Sequence, residues 1–103
     1  MSKPNNTTSR VIDEIYSERR RQVDAEGYSA RHDDKHPGQM AAAAACYAIR
    51  SSEDVSLEIR RDTITTLWPW EISAYKPKDT RRDLIRAAAL IVAEIERMDR
   101  IAS

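Results

Sequence analysis

The residues best suited to chemistry lie in one short stretch, "EGYSARHDDKHPGQ", residues 26–39. It contains both histidines of the chain and two adjacent aspartates: His32, Asp33, Asp34 and His36. Such groups can bind metals, transfer protons or contact ligand hydroxyls. A bound metal is not expected, because an H-D metal phosphohydrolase needs further histidines on other helices and the chain has none elsewhere. Helix capping by Asp33 or Asp34, or pairing of these aspartates with Arg31 and Lys35, is the structural alternative.

A second polar group is predicted where two apolar helical stripes become polar. On the helix predicted for residues 10–26, the apolar stripe continues by helical spacing through Arg19, Gln22 and Glu26. On the final helix, Arg81 lies one turn before the apolar positions begin. Buried charges require partners, so we expect these four side chains to surround a shared pocket under the histidine loop. The alternative is that the acid and the arginines pair with one another and with solvent.

Aromatic and cationic side chains lie close together in "LWPWEISAYKPKDTRR", residues 67–82. Trp68 and Trp70 come first, and Lys76 and Arg82 follow. Aromatic faces stack on planar rings and cations bind phosphates, so a nucleotide is a ligand that would use both. The free amides at the start of the last helix also attract anions. Alternatively, the two tryptophans fill the core of a protein that contains no phenylalanine.

The elements that must position these residues are predicted to be helices. A helix over residues 10–26 would be capped by Thr8 or Ser9 and ended by Gly27 in a left-handed conformation. A second helix is expected from about Pro37 to Arg50. Between this helix and the last one, the pattern fits either a helix or a short hairpin.

The last helix has the clearest pattern. Thr80 and Asp83 resemble a capping box, and apolar residues then recur at alternating spacings of four and three. We expect this stripe to form one continuous seam inside the bundle or across a dimer: Leu84, Ala88, Ile91, Ile95 and Met98.

The predicted fold is therefore all-α, a small three- or four-helix bundle, with a short hairpin over residues 53–67 as the open alternative. Residues 1–9 would be a flexible N-terminus and residues 10–103 a single helical domain.

Composition limits the classes of function. The 103 residues include 17 basic and 17 acidic side chains, so the chain lacks the basic excess typical of nucleic-acid binding. No apolar run is long enough to cross a bilayer, and no signal-peptide core is present, so a cytoplasmic protein is expected. Its single cysteine, Cys46, cannot form an internal disulfide. Because a domain of this size buries a modest core, we expect a homo-oligomer.

Few enzymatic patterns occur in the chain. It has no glycine-rich phosphate loop and no nucleophile elbow, and no cofactor is expected. MazG-like nucleotide pyrophosphohydrolases hold magnesium with E-x-x-E and E-x-x-D carboxylates on helices. Glu96 and Asp99 have the second spacing, but the first occurs nowhere in the chain. Such an enzyme is an alternative, and a non-enzymatic function is favoured.

Two long segments carry a resemblance to a known family. They contain the motifs E-R-x-R-Q, E-G, H-D-D-x-H, W-P-W and R-R-D-L-x-x-A-A-A-L-I-x-A-E-I-E-R. With these motifs the chain resembles a family of short tailed-phage and prophage proteins that has no assigned activity. The resemblance covers roughly residues 14–100, apart from about 51–66. It implies a phage origin and the bacterial host cytosol as the location.

Other small phage proteins act as sponges that sequester nucleotide second messengers of bacterial defence systems such as Thoeris and CBASS. By analogy, the leading hypothesis is a homo-oligomeric sponge for a phosphorylated, nucleotide-derived small molecule. Arg19, Arg81 and Arg82 would neutralise phosphate, Trp68 or Trp70 would stack a base, and the histidine loop would form a lid. A helical adaptor that binds a host protein is a further alternative.

Overall fold

The computed structural model describes residues 6–102, which form five α-helices and one 3-10 turn. The elements are α1 (Asn6–Glu26), α2 (Ala30–Asp34), α3 (Gln39–Arg50), α4 (Leu57–Leu67), the 3-10 turn Ile72–Ala74 and α5 (Thr80–Ala102). The all-α prediction is confirmed. The ambiguous segment is helical: α4 starts after Ser56, whose hydroxyl accepts a hydrogen bond from the Ile59 N–H at 3.3 Å. Residues 6–102 contain no strand and no helix long and apolar enough to cross a membrane.

The first helix begins earlier than predicted and ends where predicted. It starts at Asn6, so Thr8 and Ser9 lie inside it and do not cap it. Residues 6–9 are therefore helical, and residues 1–5 of the predicted N-terminal tail lie outside the described part. Gly27 has a φ of 76°, the left-handed conformation that glycine adopts without a steric penalty. The chain turns there, and the Tyr28 N–H donates to the Gln22 carbonyl at 3.0 Å.

The predicted histidine loop contains a short helix. Ser29 caps α2 by accepting a hydrogen bond from the His32 N–H at 3.3 Å. The capping role predicted for Asp33 or Asp34 is therefore wrong, because the serine already occupies that position. Pairing with Arg31 and Lys35 is also absent among the ion pairs of residues 6–102, where the two aspartates bind arginines distant in sequence.

The start of α5 is displaced by one residue from the predicted capping box. Thr80 is the first helical residue, and the Asp79 carboxylate accepts a hydrogen bond from the Arg82 N–H at 2.8 Å. Asp79 therefore caps the helix. Asp83 reaches back to accept from the Lys78 N–H at 2.8 Å, which fixes the chain entering the helix.

The core is built mainly from small side chains of α3 and α5. Five alanines are among its ten buried hydrophobic residues, with Met40, Leu90 and Tyr47 as the principal larger ones. Alanine allows two helix backbones to approach closely, and α3 packs against α5 more extensively than any other pair of helices. The predicted α5 seam therefore does not lie in the core of the chain.

The predicted seam is turned to the surface instead. Leu84, Ile91, Ile95 and Met98 are 48%, 49%, 53% and 55% exposed. The buried face of α5 is the opposite one, with Ala87, Ala89 and Ala93 among its members. The alternating pattern identified a real apolar stripe, but the alanine face packs on α3 because it permits the closer approach.

Candidate functional site

The arginine predicted to bind phosphate from α1 is occupied by protein groups. Arg19 donates to the Tyr28 carbonyl at 2.8 Å, to the Asp33 carboxylate at 3.1 Å and to Glu96 at 3.0 Å. Its side chain is 11% exposed, and that of Asp33 is fully buried. A buried charge is stable only when paired, and this pair satisfies both residues. Arg19 therefore joins α1, α2 and α5.

A second ion-pair centre, on Glu18, lies one residue earlier in α1. Glu18 is 1% exposed, accepts two hydrogen bonds from Arg21 at 2.8 Å, and also pairs with Arg82. Burial raises the pKa of Glu18, but the hydrogen bonds of Arg21 and the charges of Arg21 and Arg82 outweigh burial and hold the pKa below its ordinary value. Arg82, predicted to bind a ligand, therefore neutralises this buried carboxylate.

Arg81 lies apart from the other predicted cations. Its guanidinium makes two hydrogen bonds of 2.7 Å to the Glu14 carboxylate, and its side chain is 64% exposed. It lines a small recess with Glu14 and Arg10, whereas Arg19 lines a separate groove between α1 and α5. The expected pocket shared by Arg19 and Arg81 is not formed. Arg19 pairs with Glu96 and Arg81 pairs with Glu14, at different positions along α1 and α5.

Three other predicted residues do meet. Gln22, Glu26 and Lys76 line a gap that also contains Arg86, and its volume is about 10 Å³. The Lys76 ammonium lies 3.3 Å from the Glu26 carboxylate. Within residues 6–102, the buried Gln22 Oε1 and Arg86 Nε have no hydrogen-bond partner. A gap of this size holds about one water molecule, so it is too small for a nucleotide.

The histidines and tryptophans form an aromatic cluster. His32 stacks on Tyr28 and on His36, with ring centroids 5.0 and 4.3 Å apart, and meets Trp70 edge-on at 5.6 Å. Trp70 donates to the Gln39 side chain at 2.7 Å. Tyr28 and Trp70 pack against the core, so the cluster is anchored to the core through these two rings.

The remaining members of the predicted site are also engaged. Trp68 donates through its indole N–H to the Glu71 carbonyl at 3.0 Å and packs against the core. Asp34 binds Arg100 at 2.8 Å. The alternative in which the tryptophans fill the core therefore describes their packing, and neither ring projects freely toward a ligand.

The best candidate binding site lies elsewhere, beside α4. A recess of about 470 Å³ lies on the surface of α4, bordered by the end of α3 and by the 3-10 turn. Its walls combine three arginines with apolar and hydroxyl side chains, and we name it the arginine recess: Arg50, Leu57, Arg60, Arg61, Ile64, Thr65, Ile72 and Tyr75. Among these lining residues, which all belong to the described part of the chain, there is no carboxylate.

Local contacts hold the arginine recess in shape. Arg50 donates to the Lys78 carbonyl at 3.1 Å and pairs with the buried Asp83, which joins the end of α3 to the start of α5. Arg60 donates through Nη1 to the Arg50 carbonyl at 3.0 Å. This bond places α4 against the end of α3, so the two arginines sit side by side at the wall.

Two buried polar atoms in the recess remain unsatisfied by residues 6–102, namely Arg60 Nε and the Tyr75 hydroxyl. Buried polar atoms are nearly always hydrogen-bonded, so these two atoms keep unused hydrogen-bonding capacity beside the recess. Burial raises the pKa of Tyr75 to about 12, so its hydroxyl remains a donor at neutral pH. Arg61, which is exposed, forms no ion pair with any described residue.

None of the predicted ligand-binding residues lies in this recess. Its arginines come from α3 and α4, and the ambiguity between helix and hairpin left their directions undefined. The sequence does contain one indication of the site, because helical spacing puts two cations and two aliphatic side chains on one face of α4: Leu57, Arg60, Arg61 and Ile64.

No family model, curated protein or solved structure matches the chain. Within residues 6–102, no group of three or more histidine, cysteine or acidic residues could hold a metal ion. Glu96, the acid of the E-x-x-D pattern, binds Arg19. The pyrophosphohydrolase alternative therefore depends on sequence spacing alone.

Proposed function

We propose that the protein is a homo-oligomeric, non-enzymatic binder of a phosphorylated, nucleotide-like small molecule, which it holds in the arginine recess. One observation carries this proposal: Arg60 and Arg61, which form no ion pair with a described residue, line a recess without any carboxylate among its described lining residues. Ligand pockets typically have volumes of about 300–1,000 Å³, and the recess falls in that range at about 470 Å³.

The chemistry of the walls favours an anion with an apolar or aromatic part. Guanidinium groups recognise phosphate through paired N–H donors, and Arg60 and Arg61 offer such donors on adjacent positions of α4. Leu57, Ile64 and Ile72 supply the apolar surface on which a base or sugar can lie. This replaces the role first assigned to Trp68 and Trp70.

The resemblance to phage proteins suggests what such binding would accomplish. A small protein that binds a nucleotide signal without consuming it lowers the free concentration of that signal in the infected cell. We therefore propose sequestration of a signal of the Thoeris or CBASS type. This part of the proposal depends on the analogy with phage sponges, whereas the ligand class depends on the arginine recess.

The test measures nucleotide binding by calorimetry and by thermal unfolding. We expect ADP-ribose or a cyclic dinucleotide to raise the Tm of the wild-type protein, and the released nucleotide to be chemically intact. Arg61→Ala should weaken binding about 10- to 150-fold, because a hydrogen bond to a charged group contributes about 1.5–3 kcal/mol.

The matched control is Arg20→Ala, which removes an exposed arginine of α1 that lies outside the recess. It should bind like the wild type. If no phosphorylated ligand binds, or if both variants lose affinity equally, the arginine recess is not the binding site. Conversion of the nucleotide during the measurement would instead support an enzyme.

A further inference from the structure

The surface formed by α1 and α5 is more apolar than an isolated domain requires. Six of its large apolar side chains are about half-exposed or more, and we name them the α1/α5 face: Ile12, Tyr16, Leu84, Ile91, Ile95 and Met98. Val92 lies beside Ile12 and Tyr16 in a groove of about 440 Å³ between the two helices. Isolated exposed apolar residues are ordinary, but a contiguous patch marks an interaction surface.

The distribution of side-chain sizes indicates that this face is covered in the working protein. On α5, Ala87, Ala89 and Ala93 are buried, whereas Ile91 and Ile95 are exposed. Ile85 and Leu90 are buried beside these alanines, but the hydrophobic effect also favours burying Ile91 and Ile95, which the single chain leaves in solvent. A second apolar surface must lie on the exposed side.

The spacing of the α5 residues fits a copy of the same helix. Leu84, Ala88, Ile91, Ile95 and Met98 follow the four-three alternation by which one helix packs into the gaps of an equivalent helix. The stripe on the second chain has the same spacing and the same order of large and small side chains. A twofold interface requires such self-complementarity, since every contact occurs twice.

The edges of the groove carry opposite charges. Arg20 lies on the α1 edge and Glu96 on the α5 edge, and the Glu96 side chain is 51% exposed although it pairs with Arg19. In a twofold arrangement every group occurs on both sides of the interface, so the cationic edge of one copy and the acidic edge of the other are available to pair. Both edges are then matched without any other protein.

The extent of the face suits a stable dimer. Standard interfaces bury about 800 Å² per partner, or about a tenth of the surface of a small protein. The chain exposes 6877 Å², so such an interface would cover about a tenth of its surface. We infer that the α1/α5 face binds a second copy of this chain, forming a twofold homodimer with the arginine recess of each copy left open.

The experiment measures the mass of the full chain in solution by light scattering after gel filtration. The wild type should have twice the 11.8 kDa mass of the chain. Ile91→Lys combined with Ile95→Lys should give the single-chain mass, because charges placed at the centre of the face oppose association. Circular dichroism should show unchanged helix content, since both side chains are already about half-exposed.

The control is Ile59→Lys, which changes an equally exposed isoleucine of α4 outside the face and should leave the dimer intact. If the lysine pair fails to fold, Ile91→Ala with Ile95→Ala should weaken the dimer without adding charge. A wild type of 11.8 kDa at every concentration, or a dimer insensitive to both pairs, overturns the inference. A single chain that instead forms a complex with a host protein also overturns it.

This inference deepens the homo-oligomer part of the proposed function, and the two can fail separately. Each arginine recess comes from one chain, so the single-chain variant should still show the nucleotide-induced rise in Tm. A dimer that binds no nucleotide contradicts only the ligand proposal, and a nucleotide-binding single chain contradicts only the dimer.

Discussion

The arginines at the α1–α5 contact differ from Arg60 and Arg61 of the recess in how far their charge is neutralised. Arg19 and Arg82 bind the buried carboxylates Asp33 and Glu18. Arg60 and Arg61 form no ion pair within residues 6–102, and no carboxylate lines their recess in that part of the chain. The first group holds helices together, whereas the second group keeps its capacity to bind an anion. Cations therefore indicate a ligand site only after their internal partners are known.

The same comparison applies to apolar residues. The α3–α5 contact buries alanines, and the α1/α5 face exposes isoleucine, leucine and methionine. Close backbone approach explains the first surface, and association with a second copy would explain the second. In both comparisons, we assign a partner to the region whose charge or apolar surface is left without a partner by the single chain.

The largest effect is expected from breaking a buried ion pair. Asp33→Ala should lower the free energy of unfolding by about 3 kcal/mol, because it leaves the Arg19 charge with fewer buried partners. The neighbouring Asp34 is 49% exposed where it meets Arg100, so Asp34→Ala should cost less than about 1 kcal/mol. Urea denaturation of both variants measures the difference. Equal losses would contradict the structural role given to Arg19 and Asp33.

An intermediate effect is expected from Glu18→Gln. The variant keeps the shape of the side chain but removes the charge shared by Arg21 and Arg82, so it should cost about 1.5–3 kcal/mol near neutral pH. Because the folded-state pKa of Glu18 is below its ordinary value, its stabilisation is present above the unfolded pKa and is lost as the pH falls through the folded pKa.

The pH dependence distinguishes this charge effect from a packing effect. Unfolding measured from about pH 6 down to about pH 3 should show a smaller loss of stability for Glu18→Gln than for the wild type. Glu26 also has a lowered pKa, since the hydrogen bonds of Arg21 and Lys76 outweigh its burial, so some acid sensitivity should remain. Parallel curves for the two proteins would show that the charge of Glu18 does not stabilise the fold.

The smallest effect is expected from Arg81→Ala. The exposed Arg81 is neutralised by Glu14, and neither lines the arginine recess. The variant should show little change in Tm and should bind nucleotide like the wild type, as measured by calorimetry. Loss of nucleotide binding in Arg81→Ala, with binding by Arg61→Ala unaffected, would show that the ligand site is at the α1–α5 contact and not in the arginine recess.

Local patterns predicted much of the helical framework. Gly27 ends α1, α3 ends at Arg50, and α5 carries the amphipathic stripe, because turns and helical periodicity are set by residues close in sequence. The position of the α5 cap was wrong by one residue, and α2 was missed because it is only one turn long. The stripe does not lie inside the bundle, which leaves the predicted alternative of a seam across a dimer, since two faces of α5 are apolar and only packing against α3 selects between them.

The sequence by itself determined that the chain is helical, where several of its helices end, and that acids and bases are equal in number. Only the tertiary structure decided which of those charges meet, because ion pairs such as Arg19 with Glu96 join residues 77 positions apart. Helical periodicity gives the direction of a side chain relative to its own helix, but the neighbour it reaches depends on how helices distant in sequence pack. The arginine recess and the α1/α5 face both arise at that level.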